Sequence, residues 1–540
     1  MATPTGRSLR APTAILLLGA PFAALAQDPA PDAEKQLDIE YRIPETAPTE
    51  KKVTTKYQIE SEWVEGNNID FRYRDESSDQ AVLDSDDRFN FAFTGVRMDL
   101  AYAFDPKVTF GVSASYRGLW GQDQIGLASR FGGFLYLNEL DLAWAPGGKV
   151  PKVGEEIDTV VIRVGRFTHN LGGIGKAPDF VLADVLDGVR IQFPLGPLDI
   201  DLTPMTVLSG VPADLNINFL SFIGQTTPSP YNFRGNIMTR RSGVVVAADR
   251  VSDVVKARAY AFYTDIGASG SGADISYNGE LGNFIDNDWV MNYGLRANAT
   301  FGPALVWAEL AGSGGIDRKE LVASDVNSNG LAWGAGLQLA TGDPAEDDTE
   351  IGVDAMYWEA QGPAYLDNGL MYSHGYVSMK GRQVGGLITD RTMGWHPSAY
   401  VGMWGVENTV HNVDRRSGTR VISVRPSLKL ANGFEAYVGY YYLGDTAFSA
   451  LDLADLPGIT PPYGYAREEF AAQARVGKTL GQEIDVGASF TATKQVTVYV
   501  RGGVLLPGAF YATTINRVAG NQLGGDATAW LGTGGLRAEF

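Results

Sequence analysis

Long segments of the chain alternate apolar and polar residues with a period of two, and this pattern limits the possible folds more than any other feature. Residues 108–117 (VTFGVSASYR) and 289–301 (WVMNYGLRANATF) show it clearly. Such a period indicates β-strands with one apolar and one polar face. Strands of soluble proteins usually have about 5–6 residues, whereas a tilted strand that crosses a bilayer needs roughly 9–11. The pattern therefore predicts strands that span a membrane.

The connections between these segments alternate in length. Short turns are predicted at 105–106, 196–197, 251–254, 302–303, 432–433 and 493–495. Long polar stretches lie between them, at 65–87, 122–130, 168–185, 209–240, 267–287, 314–328 and 507–526. Tight periplasmic turns and long external loops are typical of outer-membrane barrels.

We therefore predict an all-β fold, a transmembrane antiparallel β-barrel of about eighteen strands, within a range of 16 to 20. Residues 361–418 form one long external loop in this prediction, although 398–404 could add a strand and bring the count to twenty. Parts of the loop, 366–395 and 405–418, could fold inward as a constriction. Pro426 lies inside a predicted strand, where it cannot donate to the ladder. The predicted strands are 55–64, 88–104, 107–120, 131–145, 157–167, 186–194, 198–208, 241–250, 255–266, 288–301, 304–313, 329–341, 350–360, 419–431, 433–446, 483–493, 495–506 and 527–540.

The N-terminus has the pattern of a secretory signal peptide. Arg7 and Arg10 precede an apolar stretch that ends in Ala24-Leu25-Ala26, so residues 1–26 are predicted to be removed. Residues 27–54 lack periodicity and are interpreted as a flexible periplasmic segment. The barrel is expected to occupy 55–540. These features place the protein in the outer membrane of a Gram-negative bacterium.

Composition excludes several functional classes. The chain has no cysteine, which excludes a thiol nucleophile and a cysteine zinc site, and its formal net charge of -19 makes nucleic acid an unlikely partner. The four histidines lack metal-ligand spacing and fall in or near predicted loops, so we expect them at the surface. We predict no cofactor, no metal and no catalysis. Aromatic residues near strand ends predict interfacial girdles; they are Tyr102, Phe104, Trp120, Trp144, Trp289, Phe301 and Trp530.

Alternation also predicts which charged side chains line the lumen, provided that no β-bulge shifts the facing. Spaced arginines there could pair transiently with carboxylates of a passing solute. The alternative is that arginines and carboxylates on adjacent strands cross-link the wall. The predicted pore-lining residues are Arg97, Asp99, Arg117, Glu139, Asp141, Arg163, Arg190, Arg258, Arg296, Asp354, Arg425, Lys429, Asp485, Arg501 and Arg537.

Several motifs resemble a known family. Residues 164–167 (VGRF) followed by 187–190 (DGVR), and 480–485 (LGQEID) followed by 506–508 (LPG), are similar to motifs of alginate-export-type outer-membrane channels. The resemblance implies an eighteen-stranded barrel that exports a polysaccharide. The terminal Phe540 looks like the recognition tag for the outer-membrane insertion machinery.

The sequence thus predicts a channel that passes a secreted, charged polysaccharide from periplasm to exterior. The alternative is an uptake porin for small sugars or anions, which would show an inward-folded constriction loop. The predicted partners are outer-membrane lipid and lipopolysaccharide, the solute itself, the insertion machinery, and periplasmic export proteins. A barrel of 16–18 strands is wide enough for an aqueous channel.

Overall fold

A computed structural model gives the fold of the described part of the chain. The described residues are 53–67, 89–121, 134–151, 157–171, 183–208, 240–252, 254–267, 287–317, 326–327, 329–342, 349–362, 364–365, 371–373, 375–376, 386–388, 419–446, 479–508 and 528–540. The predicted signal peptide, nearly all of the segment 27–54 and the optional strand 398–404 lie outside these residues. No helix among them is long and apolar enough to cross a membrane.

The described residues form strands separated by turns. In chain order the strands are β1 (Val53–Asn67), β2 (Phe89–Asp105), β3 (Val108–Gly121), β4 (Phe134–Trp144), β5 (Val161–Asn170), β6 (Ala183–Leu195), β7 (Leu198–Leu208), β8 (Arg240–Val251), β9 (Val255–Gly267), β10 (Asn287–Phe301), β11 (Ala304–Asp317), β12 (Val326–Asn327), β13 (Gly330–Thr341), β14 (Glu350–Ala360), β15 (Ala364–Tyr365), β16 (Met371–Ser373), β17 (Thr419–Lys429), β18 (Phe434–Asp445), β19 (Thr479–Thr493), β20 (Val496–Pro507) and β21 (Ala529–Glu539).

Eighteen long strands of the described chain close into one antiparallel barrel, as the alternation predicts. Each of these strands pairs with the next one along the ring, and β21 pairs with β1 from Gln58–Glu539 to Asn67–Trp530. The short strands β12, β15 and β16 belong to the connections that follow β11 and β14. The range of 16 to 20 therefore narrows to eighteen.

The short turns lie at one end of the barrel. The two-residue turn after β2, the one after β10, the start of β1 and Phe540 share this end, where the Tyr57 amide donates to the Phe540 carbonyl at 3.0 Å. Gly433 in the turn after β17 has φ of 82°, a left-handed conformation that favours glycine. The predicted alternation of turn lengths describes most connections, but the β4–β5 connection, residues 145–160, lies at the same end as the short turns and is a long one. The role of Phe540 as an insertion tag stays a prediction.

The apolar faces of the strands point outward. On β10 and β11, Leu295 and Leu310 are 61% and 52% exposed, whereas the intervening Arg296 and Glu309 are only 1% and 4% exposed. A closed barrel whose outer side chains are apolar presents them to lipid, because exposing so large an apolar surface to water is unfavourable. We call the side that carries Leu295 the outer face and the side that carries Arg296 the inner face.

Aromatic residues mark the turn end of the outer face. Phe104, Trp144 and Phe301 are exposed there, beside the short turns. The rings of Tyr102 and Phe104 meet edge to face, with centroids 4.7 Å apart. Aromatic rings at this level match the interfacial girdle that the sequence predicts.

Proline interrupts a ladder without ending its strand. Pro426 lies in β17 and pairs with Val353 of β14, but in the ladder to β18 the residues between the Val424–Tyr440 and Ser427–Tyr437 pairs are not paired. The register is the same on both sides of this gap. A missing amide donor thus removes pairing locally while the long strand continues.

Glycine is abundant because inner aromatic rings lie flat across neighbouring strands. A Cβ on Gly487 would collide with the ring of Tyr437, and a Cβ on Gly336 would collide with the indole of Trp307. The 65 glycines of the chain are therefore compatible with a strand-rich protein.

Candidate functional site

The charged side chains predicted to face the lumen lie on the inner face wherever the structure describes them. Their neighbours in sequence are the exposed apolar residues of the outer face. The side chain of Arg117 lies outside the described part. The placed residues are Arg97, Asp99, Glu139, Asp141, Arg163, Arg190, Arg258, Arg296, Asp354, Arg425, Lys429, Asp485, Arg501 and Arg537.

Many inner arginines are held by carboxylates of the wall. Arg258 binds Asp249 through two hydrogen bonds of 2.6 Å, and Arg296 binds Glu309 at 3.0 Å. The two arginines stand opposite each other in the β9–β10 ladder, so each carboxylate offsets a contact between like charges. These pairs cross-link adjacent strands.

Two arginines that face each other across a ladder, each paired with a carboxylate, also occur between β5 and β6. Arg163 and Arg190 are opposite each other in the β5–β6 ladder. Arg163 lies 3.1 Å from Asp141, and the Nε of Arg190 donates to Asp201 at 2.8 Å. Further pairs between neighbouring strands are Arg537–Glu60 and Lys429–Glu435, whereas Arg97 and Asp99 pair within β2. The cross-linking alternative thus describes the geometry of these residues.

Two inner arginines stack on tyrosines. The guanidinium carbon of Arg425 lies 4.7 Å from the ring centre of Tyr437, and that of Arg501 lies 4.7 Å from Tyr499. Stacking fixes a guanidinium plane while its edge keeps N–H donors for another acceptor. The Nε of Arg425 is buried with no hydrogen-bond partner among the described residues. Arg425 also stands opposite Asp354 in the β14–β17 ladder.

A segment of the long β14–β17 connection lies inside the barrel. The amide of Leu387 donates to Asp485 Oδ2 at 2.6 Å, and the amide of Ile388 donates to Glu483 Oε1 at 2.5 Å. Gly386, Leu387 and Ile388 are all buried. We call residues 386–388 the inward segment. The predicted inward constriction stays a prediction: the structure describes inner-wall contacts for 386–388 within 366–395, whereas 405–418 lies outside the described residues.

The same connection touches the inner wall at a second place. Tyr376 is fully buried, its amide donates to the Gln361 carbonyl at 2.9 Å, and its ring packs edge to face on Trp358. The hydroxyl of Ser313 donates to the Gly375 carbonyl at 3.3 Å. The connection therefore contacts β11 and β14 at one point and β19 at another.

Part of the inner face is apolar, which the sequence did not predict. Tyr376 joins a buried cluster that extends from β5 to β14 along the inner wall. Apolar residues occupy both faces of these strands. In the sequence, the run of three consecutive apolar residues at 356–358 (MYW) indicates such a two-sided apolar strand. The cluster contains Phe167, Leu171, Leu186, Met205, Val245, Ala247, Tyr260, Phe262, Trp307, Ala311, Ala332, Trp358, Ala360 and Tyr376.

The prediction that the histidines are surface residues is wrong for His169. The strand β5 extends to Asn170, so His169 is 1% exposed on the inner face, with Nε2 3.5 Å from Asp201. The other three histidines lie outside the described residues. Among the residues placed by the structure, no group of three or more histidine, aspartate or glutamate side chains could hold a metal ion.

Comparison with solved structures finds similar outer-membrane proteins. The chain is similar to Pseudomonas aeruginosa OccK8 (OprE), with a TM-score of 0.44, 9% identity, and coverage of 91% of this chain and 98% of that one. It is similar to the outer membrane protein OprD from Pseudomonas aeruginosa, with a TM-score of 0.43, 11% identity, and coverage of 92% and 95%. No protein-family model and no curated protein matches the sequence. The resemblance to alginate-export-type channels stays a prediction.

Proposed function

We propose that the protein is an outer-membrane channel through which small anionic solutes enter the periplasm. The observation that carries the proposal is the inward segment, which is hydrogen-bonded to Glu483 and Asp485 in the interior of an eighteen-stranded barrel. A barrel of this size would otherwise enclose a wide aqueous channel. A chain folded into the lumen reduces the cross-section and suits a small solute.

The charge of the wall supports an anion as the solute. The inner carboxylates Asp249, Glu309 and Asp201 are engaged by arginines, whereas Arg425 and Arg501 stack on tyrosine rings. A carboxylate that passes the stacks could exchange water for guanidinium N–H donors and leave again, because each contact is weak and solvated.

Export of a charged polysaccharide is less consistent with this interior. A polymer needs a path that stays open along its whole length, and the contacts of 386–388 and of Tyr376 narrow the lumen on two sides. Binding to lipopolysaccharide, periplasmic export proteins and the insertion machinery stays a prediction.

The function is tested by reconstitution. Purified protein in planar bilayers should conduct, and proteoliposomes should admit a small carboxylate such as a hexuronate while excluding the corresponding polyuronate. Empty liposomes and liposomes with a heat-denatured sample are the controls. Absence of ion current would contradict the channel, and passage of the polyuronate would favour export.

Selectivity should depend on the two stacked arginines. Replacing Arg425 and Arg501 together with glutamine removes both guanidinium groups, so we expect the reversal potential in a salt gradient to shift toward lower anion preference. The matched control replaces Lys107 and Lys494 with glutamine, because both lysines lie in short turns and the net charge changes equally. Equal shifts for the two double variants would show that overall charge, and not the stacks, determines selectivity.

A further inference from the structure

The ladder between β4 and β5 is the shortest between neighbouring ring strands in the described chain. It has five rows, from Leu140–Arg166 to Trp144–Ile162. Beyond them β4 continues to Phe134 and β5 to Asn170, and these continuations are paired with β3 and β6 respectively. The two strands thus separate toward the end of the barrel that carries the long connections. We call this unpaired stretch the seam.

Two backbone irregularities produce the seam. The β3–β4 register skips Asn138, which marks a β-bulge where β4 bends. On the other strand Gly165 has φ of 129°, and a Cβ there would collide with the Leu140 carbonyl oxygen. The strands therefore meet closely at the last paired row and diverge directly above it.

The seam begins inside the lipid-facing part of the wall. Five rows at about 3.3 Å per residue and a tilt of about 40° rise roughly 13 Å, about half of an apolar band some 25 Å tall. The count starts at Trp144, an exposed aromatic residue of the turn-end girdle. The unpaired edges of β4 and β5 consequently lie at the level of the outer leaflet.

Side chains bridge the seam where backbone hydrogen bonds end. The amide and the hydroxyl of Thr168 donate to Glu139 Oε1 at 3.2 and 2.5 Å. Arg166 Nη1 donates to the Leu137 carbonyl at 3.3 Å. Unpaired backbone groups are costly in lipid, so these bridges stabilise the closed seam. Rotation of one side chain breaks such a bridge, whereas opening a β-ladder requires several backbone hydrogen bonds to break together.

The outer face beside the seam is polar, and the inner face beside it is apolar. On the outer face Arg166 binds Asp187 through hydrogen bonds of 2.7 and 2.8 Å. On the inner face Phe167 and Leu186 are fully buried and begin the apolar cluster. A molecule that fits both surfaces has an apolar body and an anionic head group that replaces the Asp187 carboxylate on Arg166.

We propose that the seam is a lateral port through which an amphipathic carboxylate passes between the outer leaflet and the barrel interior. Its head group contacts Arg166, its apolar body follows Phe167 and Leu186, and the Glu139–Thr168 contact closes the port. The port is separate from the proposed ion path, which runs along the stacked arginines Arg425 and Arg501. An experiment can therefore contradict the port without contradicting the ion channel, and the reverse.

The test uses the absence of native cysteine. Phe167→Cys is labelled with a fluorophore and reconstituted in lipids with brominated acyl chains. The bromine atoms quench the fluorescence of the label when an acyl chain touches it. The matched control is Val290→Cys, since Val290 is also fully buried on the inner face and β10 is paired along its length with β9 and β11. We expect loss of fluorescence at position 167 and none at position 290.

A second arm locks the port. Glu139→Cys and Thr168→Cys are oxidised to a disulfide before the thiol at position 167 is labelled. Quenching should disappear in the locked protein and return after reduction, while the ion conductance of this variant is the same before and after reduction. Quenching that persists in the locked protein, or that is equal at positions 167 and 290, would overturn the port.

A third arm tests the ligand class in detergent. A bromine-tagged alkyl carboxylate should quench the label at position 167, and a bromine-tagged alkyl trimethylammonium of the same length should not. Arg166→Gln should weaken quenching by the carboxylate. Equal quenching by both probes, or no effect of the Arg166 substitution, would overturn the assignment of an anionic head group. Conductance of the same samples reports independently on the proposed channel.

Discussion

Replacing Glu483 and Asp485 together with alanine will release the inward segment and increase the single-channel conductance. Each carboxylate accepts one amide of the segment, from Ile388 and Leu387 respectively. A hydrogen bond to a charged group contributes about 1.5–3 kcal/mol, so the pair contributes about 3–6 kcal/mol to the inward position. Even about 3 kcal/mol corresponds to roughly a hundredfold change in population.

The measurement is single-channel recording in planar bilayers with wild type and variant refolded in parallel. A matched control replaces Glu435 and Glu539 with alanine, which removes two partly exposed inner carboxylates that pair with Lys429 and Lys56. Both double variants change the net charge equally. The same conductance change in both would show that the lumen charge acts, and that the inward segment does not restrict the pore.

Replacing Arg296 with methionine will destabilise the barrel more than the loss of any exposed ion pair. The Arg296 and Glu309 side chains are fully buried, and the substitution removes the guanidinium that pairs with the Glu309 carboxylate, which also accepts a hydrogen bond from the Tyr260 hydroxyl at 2.6 Å. Breaking a buried pair by removing one partner costs about 3–5 kcal/mol, because the other charge stays buried. Equilibrium unfolding of the reconstituted barrel in denaturant measures the loss.

The combined substitution Arg296→Met and Glu309→Gln should recover most of this stability. It removes the buried charge and keeps an acceptor for the Tyr260 hydroxyl. Lys429→Met is the exposed control, since Lys429 and Glu435 lie 3.6 Å apart and are about one-third exposed; its cost should be within about 1 kcal/mol. A single Arg296 variant as stable as wild type would contradict a structural role for this pair.

Strand number and facing could be predicted because a period of two is a local property of the chain. Strand ends were less certain, since the ladder depends on the neighbour: the predicted 157–167 is Val161–Asn170, and the predicted 483–493 is Thr479–Thr493. The three-residue extension at Asn170 moves His169 from a predicted loop into the wall. Pairing, and not composition, decides where such a strand stops.

Ion-pair partners could not be predicted because they depend on register. Alternation predicts the same face for Arg258 and Arg296, but the carboxylates that pair with them are set by which residues stand opposite on β8 and β11. The bulge at Asn138 likewise has no clear sequence signal. The contacts of Leu387 with β19 join a loop to a distant strand through backbone amides, so side-chain identity in the loop carries little information about them.

The pairing of the first and last strands has a kinetic consequence. The other ring ladders join strands that follow one another in the chain, but β1 and β21 meet across almost the whole described length. A contact between remote parts of a polypeptide forms slowly, because the intervening chain must first be ordered. Until Phe540 pairs with Tyr57, the sheet has two edge strands with unpaired backbone N–H and C=O groups, which promote aggregation. Closure of the ring therefore requires β21, and we expect a chain truncated before Ala529 to remain an open sheet with unpaired edges on β1 and β20.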